Sequence, residues 1–127
     1  MELTRNELQF MTVLWHSDTP LTSAEILGRS VDRTWKDASL HIILNRLIEK
    51  GAVAEHGFVK DGKVIARTFV PALSRECYYE SVFAGYPSED IPMLFSALLR
   101  RVDFNVSTIE KLEDMIRERR VKLEDGY

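Results

Sequence analysis

The chain has 127 residues, of which 45% are apolar and 29% charged, so it can bury a core and is neither a disordered linker nor a fibrous repeat. Its length fits one compact domain or two small units. The formal net charge of −3 gives no overall attraction to a nucleic acid, so any such role must depend on local placement of charge.

Cysteine usage and hydropathy indicate the compartment. Cys77 is the only cysteine, which excludes a disulfide framework and any paired-cysteine metal site. The first residues lack the apolar segment of a secretory signal, and the apolar stretches 40–44 and 91–99 are too short to span a bilayer. We therefore expect a cytoplasmic protein.

The first half of the chain predicts three short helices. Residues 4–7 and 22–25 each have the form of a capping box, with threonine at the N-cap and glutamate three positions later. A third helix is predicted from Asp37 to Lys50, because Gly51 supplies a stop signal. Its apolar residues recur at the spacing of one buried helical face: Leu40, Ile43, Leu44 and Leu47.

The pattern then changes to two β-prone runs. They cover residues 52–59 and 64–70, and the Lys-Asp-Gly-Lys turn between them favours a hairpin. Pro71 ends the second strand. Further helices are predicted at 75–84, 89–101 and 106–120.

Three helices followed by a hairpin is the order of a winged helix-turn-helix domain. The predicted fold class is therefore mainly α with a small β-hairpin. We assign residues 1–73 to a winged-helix DNA-binding domain and residues 74–127 to a C-terminal helical region. The same order of elements also occurs in protein-binding modules, which leaves a protein-interaction role without DNA binding as the alternative.

The third helix carries candidate residues for reading DNA bases. If its apolar stripe lies on the core, Ile42 and Asn45 lie opposite, with Arg46 on one flank. In a major groove, Ile42 fits a thymine methyl group, Asn45 pairs with adenine, and Arg46 pairs with guanine. The predicted base-contacting residues are Ser39, Ile42, Asn45 and Arg46. Alternatively, Arg46 is an ordinary solvated charge and Ile42 a minor apolar contact.

A second group of residues is predicted to contact DNA phosphates, which position a protein without specifying sequence. Lys60 and Lys63 lie at the tip of the hairpin, and Arg67 follows on its second strand. Lys36 precedes the third helix, and Thr22 opens the second. The alternative is a charged tip that keeps an edge hairpin soluble.

Several motifs resemble those of the penicillinase repressor family of bacterial regulators. They cover nearly the whole chain: Met11-Thr12-Val13-Leu14-Trp15, residues 21–27, Trp35, Leu44-Asn45-Arg46-Leu47, Lys50-Gly51 and Thr68-Phe69-Val70-Pro71. The resemblance implies a homodimeric repressor that binds a pseudo-palindromic operator in double-stranded DNA. It also leaves open, as a partner, a membrane-bound sensor protease that acts indirectly.

The resemblance implies that the C-terminal helices dimerise, and they have the apolar content that a dimer interface needs. The predicted interface residues are Tyr79, Phe83, Phe95, Leu98, Leu99, Leu112 and Ile116. An intramolecular core formed by the same residues is the alternative.

The sequence departs from the family pattern at two functional positions. Residues 36–39 read Lys-Asp-Ala-Ser where family members commonly carry Ser-Pro-Lys-Thr, so the operator sequence is expected to differ. The Asn-Phe bond at which family members are cleaved corresponds here to Ala97-Leu98. We therefore do not expect cleavage with the same specificity. The Cys-x-Cys motifs of the copper-responsive branch are absent, so copper sensing by that route is not expected.

No residue pattern supports an enzyme, a metal or a cofactor. Residues 57–64 nearly match a phosphate-binding loop, but Val64 replaces the required hydroxyl and a strand is predicted to follow. The three histidines have no metal-ligand spacing with one another or with Cys77. A redox-sensing role of Cys77 stays open as a third idea, and no small-molecule ligand is inferred.

Overall fold

The computed structural model describes residues 1–126, apart from the side chain of Asp61. The elements follow in chain order: α1 Arg5–Trp15, β1 Leu21–Thr22, α2 Ser23–Arg29, α3 Leu40–Glu49, β2 Val53–Asp61, β3 Val64–Pro71, α4 Arg75–Phe83, α5 Ile91–Leu99 and α6 Val106–Glu124. Short 3-10 turns at Asp37–Ser39 and Ser88–Asp90 precede α3 and α5. The chain divides into two compact units, Met1–Gly85 and a second that begins at Tyr86.

Both predicted capping boxes are confirmed. The Thr4 hydroxyl accepts a hydrogen bond from the Glu7 amide at 3.2 Å, and the Thr4 amide donates to the Glu7 carboxylate at 2.8 Å. Thr22 and Glu25 make the same reciprocal pair at the start of α2. Each box satisfies amide groups that a helix leaves without partners at its N-terminus, so α1 and α2 begin where the sequence predicts.

The core of the first unit is formed by the three helices and the sheet. The predicted stripe of α3 is confirmed as buried. The remaining members of the apolar core are Phe10, Met11, Leu14, Leu21, Ile26, Trp35, Ala52, Val53 and Phe69. One unit of about 85 residues therefore has a continuous interior of its own.

The sheet has three antiparallel strands in the order β1-β3-β2. The sequence predicts only two, because β1 has two residues and cannot display the alternating pattern of a strand. Leu21 and Thr22 pair with Phe69 and Thr68, which fixes the start of α2 beside the hairpin. The register shifts between Glu55 and Phe58, where Gly57 has a φ of +91°.

Two predicted helix starts are wrong by two or three residues. The segment from Asp37 begins as a 3-10 turn, with the Ser39 amide bonded to the Lys36 carbonyl at 2.8 Å, and α3 starts at Leu40. The helix predicted from residue 89 starts at Ile91. Proline lacks the amide hydrogen that a helix needs after its first turn, so Pro92 has to lie in that turn.

The fourth helix is part of the first unit and packs on the end of α1. The indole Nε1 of Trp15 donates to the Leu73 carbonyl at 2.8 Å, just before α4. The ring centroids of Trp15 and Tyr78 are 5.8 Å apart, and Tyr78 is buried. The contact boundary at Gly85 thus lies after α4, whereas the predicted functional division at 73/74 lies before it. That division stays a prediction, and its last residue, Tyr127, lies outside the described residues.

The second unit consists of α5 and α6. Asn105 caps α6 by accepting a hydrogen bond from the Thr108 amide at 3.0 Å. Helix α6 continues to Glu124, beyond the predicted end at residue 120, and an Arg120–Glu124 ion pair of 2.8 Å spans its last turn. No residue between 86 and 126 is buried.

Candidate nucleic-acid interface

The third helix separates a buried face from an exposed one, as the sequence predicts. Leu40, Ile43, Leu44 and Leu47 are at most 4% exposed. His41, Ile42, Asn45, Arg46 and Glu49 are all exposed on the other side. Ile42 is 55% exposed, which is unusual for a large aliphatic side chain on the solvated face of a helix. The arrangement presents an apolar group beside an amide and a guanidinium.

The start of α3 places one candidate residue differently from its neighbours. Ser39 lies in the 3-10 turn and is half-buried, and its hydroxyl makes no capping bond to the helix. The hydroxyl therefore remains able to bond to another group. Ile42, Asn45 and Arg46 lie within the α-helix itself.

Arg33 organises the segment that leads into α3. Its guanidinium donates to the Ser30 carbonyl at 2.8 Å and to the Trp35 carbonyl at 3.1 Å. It also forms an ion pair with Asp37, and its Cζ lies 4.9 Å from the centroid of the Trp35 ring. Sequence reasoning missed this residue, although the four-residue spacing of arginine and aspartate was a usable signal.

The hairpin presents two candidate lysines near its tip. Lys60 is the residue before the last of β2 and Lys63 lies in the turn, and both are exposed. Sequence reasoning did not identify the apolar side chains that accompany them. Phe58, Val59, Val64 and Ile65 are all exposed, with Phe58 at 67% and Ile65 at 69%.

Arg67 and Thr22 already have partners within the chain. The guanidinium of Arg67 forms an ion pair with Glu55, and its Cζ lies 5.6 Å from the centroid of the Phe69 ring. Thr22 is 8% exposed, and both its hydroxyl and its amide take part in the capping box with Glu25. These two residues are therefore less available to an external phosphate than the lysines.

Charge is distributed unevenly over this surface. Two acidic side chains, Asp37 and Glu55, are paired with arginines. The exposed basic residues Lys36, Arg46, Lys60 and Lys63 have no acidic partner among the side chains that the structure describes. These four basic residues outnumber the exposed Glu49 of α3, so a local excess of positive charge remains that the net charge of the chain conceals.

Glu7 connects the start of α1 to the end of α3. Its carboxylate is 2% exposed and accepts from Lys50 Nζ at 2.6 Å, while the same lysine donates to the Glu2 carbonyl at 2.9 Å. Burial raises the pKa of Glu7, but hydrogen bonds from Lys50 and Thr4 outweigh it, so the pKa lies below its ordinary value of 4.5. The Lys50–Glu7 ion pair therefore joins the end of α3 to the start of α1.

The predicted dimerisation residues lie mainly on exposed surface. Leu112 is half-buried, and the others are exposed: Tyr79, Phe83, Phe95, Leu98, Leu99 and Ile116. The doubtful cleavage position, Ala97-Leu98, lies within helix α5.

Other kinds of site find little support in the described residues. No group of histidine, cysteine or acidic side chains among residues 1–126 is arranged to hold a metal ion. Residues 57–64 belong to the β2–β3 hairpin and lead into a strand, unlike a phosphate-binding loop, which leads into a helix. No helix within the described residues 1–126 is long and apolar enough to cross a membrane.

The sequence profile of the penicillinase repressor family matches residues 3–118. The chain belongs to this family. Its members are DNA-binding transcriptional repressors rather than enzymes, and the mainly helical structure with a small antiparallel sheet is a winged helix. No curated protein sequence matches the chain at a significant level.

Three solved structures are similar to the chain at low sequence identity. A mutant of MepR from a multidrug-resistant S. aureus clinical isolate is 12% identical, with a TM-score of 0.47 over 94% of this chain and 78% of that one. The adhesin competence repressor AdcR from Streptococcus pyogenes is 14% identical, with a TM-score of 0.41 over 97% and 82%. Bacillus subtilis PadR in complex with operator DNA is 15% identical, with a TM-score of 0.43 over 93% and 71%. All three scores are below 0.5, so the fold assignment rests on the family match and the observed elements.

Proposed function

We propose that this repressor acts as a homodimer on a pseudo-palindromic operator, with α3 in the major groove and the hairpin along the DNA backbone. The exposed face of α3 is the observation that carries the proposal. Ile42, Asn45 and Arg46 supply three different modes of base recognition on a rigid helix. These three side chains do not contribute to the core, because the buried face of α3 lies on the opposite side of the helix.

The base contacts divide by chemistry. Arg46 donates to guanine in a bidentate manner, Asn45 pairs with adenine, and Ile42 packs on a thymine methyl group. Ser39, in the turn before the helix, adds a hydroxyl that bonds to a base edge or to a water molecule. Together these contacts provide sequence selectivity.

The phosphate contacts are led by Lys36, Lys60 and Lys63, which carry unpaired charge on the described surface. Arg67 joins them by exchanging Glu55 for a phosphate oxygen. Thr22 contributes at the start of α2, which β1 holds beside the hairpin. These contacts supply affinity that decreases steeply with salt.

Dimerisation through the C-terminal helices would place two recognition helices on two half-sites. Helix α5 is apolar on nearly every side, and a helix of that kind is normally covered all round. In this single chain, Phe95, Leu98 and Leu99 remain exposed. A second copy of the chain would cover them.

The route of induction and the compartment complete the proposal. A cytoplasmic location agrees with binding to DNA. A membrane-bound sensor protease that acts indirectly is the candidate partner for induction. Ala97-Leu98 stands where family members carry the cleaved Asn-Phe bond, so cleavage with the family's specificity is not part of the proposal.

The second candidate function is a protein-interaction module without DNA binding. The exposed apolar side chains of the hairpin favour it, since Phe58 and Ile65 would be protected from water in a protein interface. DNA binding is favoured over it by the unpaired basic residues and by family membership.

Fluorescence anisotropy on DNA from upstream of the gene, with scrambled DNA as reference and several salt concentrations, tests the proposal. We expect selective binding whose logarithm decreases linearly with the logarithm of salt concentration. Absence of binding at low salt by folded protein would favour the interaction module instead.

Two variants separate base reading from phosphate contact. Arg46→Ala should weaken operator binding by about 1–3 kcal/mol and relax selectivity, whereas Lys63→Ala should weaken all sequences alike and reduce the salt slope by about one. Arg117→Ala and Lys122→Ala, at exposed positions of α6, are the matched controls. Full operator affinity of Arg46→Ala would remove its assigned role.

A further inference from the structure

A cleft of about 480 Å³ lies between α1 and the segment that connects α2 to α3. Gln9 and His16 line it from one face of α1, and Arg29 and Arg33 line it from the opposite side. Its volume is within the range of small-molecule sites in proteins. None of the residues assigned to DNA or dimer contacts lines this cleft.

The lining of the cleft favours a negative ligand. Two arginines and no acidic residue line it, although the chain as a whole carries a net charge of −3. Arg29 is exposed, and its described hydrogen bond, to the Ser17 hydroxyl, is long at 3.4 Å. Because a guanidinium has five donors, most of those on Arg29 remain available to a ligand.

The cleft also offers apolar contact. Val13 and Val31 line it, whereas two hydroxyls at its wall are engaged internally: Thr12 donates to the Leu8 carbonyl and Ser30 to the Ile26 carbonyl. A guanidinium matches the planar geometry of a carboxylate and binds it in a bidentate manner. We infer that the cleft binds a small organic carboxylate, with its charge on Arg29 and Arg33 and its apolar part against the two valines.

Arg33 links this cleft to the recognition helix. Arg33 lines the cleft, and its guanidinium pairs with Asp37 in the turn before α3 and donates to the Trp35 carbonyl at 3.1 Å. A carboxylate in the cleft competes with Asp37 for Arg33. Release of Asp37 leaves its exposed negative charge without a partner in the turn before the helix and loosens the segment that positions α3.

Occupation of the cleft should therefore weaken operator binding, so the carboxylate acts as an inducer. This regulatory step rests on the proposed function, whereas ligand binding itself does not. Thermodynamic linkage requires that operator DNA weaken carboxylate binding by the same factor.

Calorimetric titration of the full-length protein without DNA tests the site directly. The probes are benzoate, its neutral analogue benzamide, and inorganic phosphate, all at constant ionic strength. We expect saturable binding of benzoate, weaker binding of phosphate and none of benzamide. Absence of saturable benzoate binding overturns the site, and equal affinity for phosphate and benzoate overturns the assignment to carboxylates.

Variants locate the binding. Arg29→Met should reduce benzoate affinity at least tenfold, Arg29→Lys should reduce it less, and Arg117→Met on α6 should leave it unchanged. Unchanged thermal unfolding of Arg29→Met would establish that its fold is intact. Benzoate affinity in Arg29→Met equal to that of the unaltered protein would place the ligand elsewhere and overturn the inference.

The regulatory step is tested by anisotropy on operator DNA with and without benzoate. Benzoate should weaken operator binding several-fold. The effect should be smaller in Asp37→Asn, because this variant has no charged partner of Arg33 for benzoate to displace. An equal effect in both proteins would overturn the link through Arg33. If the protein binds no operator DNA, the proposed function fails, while the calorimetric result still decides whether the cleft is a carboxylate site.

Discussion

The two compact units differ in whether their apolar residues are covered. In the first, the side chains of Phe10, Met11 and Leu47 are inaccessible to water, and helices and sheet enclose them. In the second, α5 and α6 carry as many large apolar residues per turn, yet no residue from 86 to 126 is buried. Burial depends on having a second layer to pack against, which two helices alone do not provide.

This difference has a thermodynamic consequence. The first unit obtains its stability from its own interior, so its unfolding should be independent of protein concentration. In the proposed dimer a second copy covers the exposed apolar residues of the second unit, so the order of this unit should depend on association. Substitutions in the two units are therefore expected to behave differently when protein concentration is varied.

Leu47→Ala should have the largest effect. Leu47 is completely buried in the core of the first unit, and removal of such a leucine side chain costs about 2–5 kcal/mol. Chemical denaturation is monitored by Trp15 and Trp35 fluorescence at two protein concentrations. The decrease in the free energy of unfolding should be the same at both concentrations. A loss that varies with concentration would mean that the first unit also depends on the dimer.

Leu112→Asp should weaken dimerisation by about 2–4 kcal/mol, the range of a strong interface contact. Sedimentation equilibrium measures the change. Val121→Asp is the matched control, because position 121 lies on the opposite side of α6 and is 52% exposed. Equal loss of dimer in both variants would show that the face of α6 that carries Leu112 and Ile116 is not the interface.

Glu7→Gln should destabilise the first unit by about 1–3 kcal/mol, because it removes a charged hydrogen-bond partner from Lys50. The exposed Glu49→Gln serves as control. Thermal unfolding at neutral pH measures the difference.

The effect of Glu7→Gln should also depend on pH. Folding lowers the pKa of Glu7, so its contribution is present above the ordinary pKa of 4.5 and is lost as the pH falls through the lower folded value. The stability difference between Glu7→Gln and the unaltered protein should therefore shrink below pH 4.5. A difference that is constant between neutral and acidic pH would contradict the ion pair.

Trp15→Phe should have the smallest effect, about 0.5–1.5 kcal/mol, because it removes the hydrogen bond to the Leu73 carbonyl and keeps most of the aromatic contact with Tyr78. Loss of this hydrogen bond should increase protease sensitivity near residue 73, just before the start of α4. Unaltered cleavage there would indicate that Tyr78 packing alone holds α4 in place.

Local patterns in the sequence specified most of the first unit. The capping boxes at Thr4 and Thr22, the stripe of α3 and the Asp-Gly turn of the hairpin each act over a few residues, and the structure confirms all of them. Pro92 is a further local signal, because a proline is tolerated in the first turn of a helix and so places the start of α5 near residue 91. The exposed face of α3 followed directly from helical geometry once the buried face was known.

The sequence by itself determined the order of elements, the buried and exposed faces of α3 and the family, because those depend on short-range spacing. Only the tertiary structure decided which charges are paired. Arg67 meets Glu55 across the hairpin and Lys50 meets Glu7 over 43 positions in the chain, and no local pattern encodes either contact. The charge that α3 and the cleft can offer to a ligand therefore depends on the tertiary structure, because it is what remains after internal partners have been satisfied.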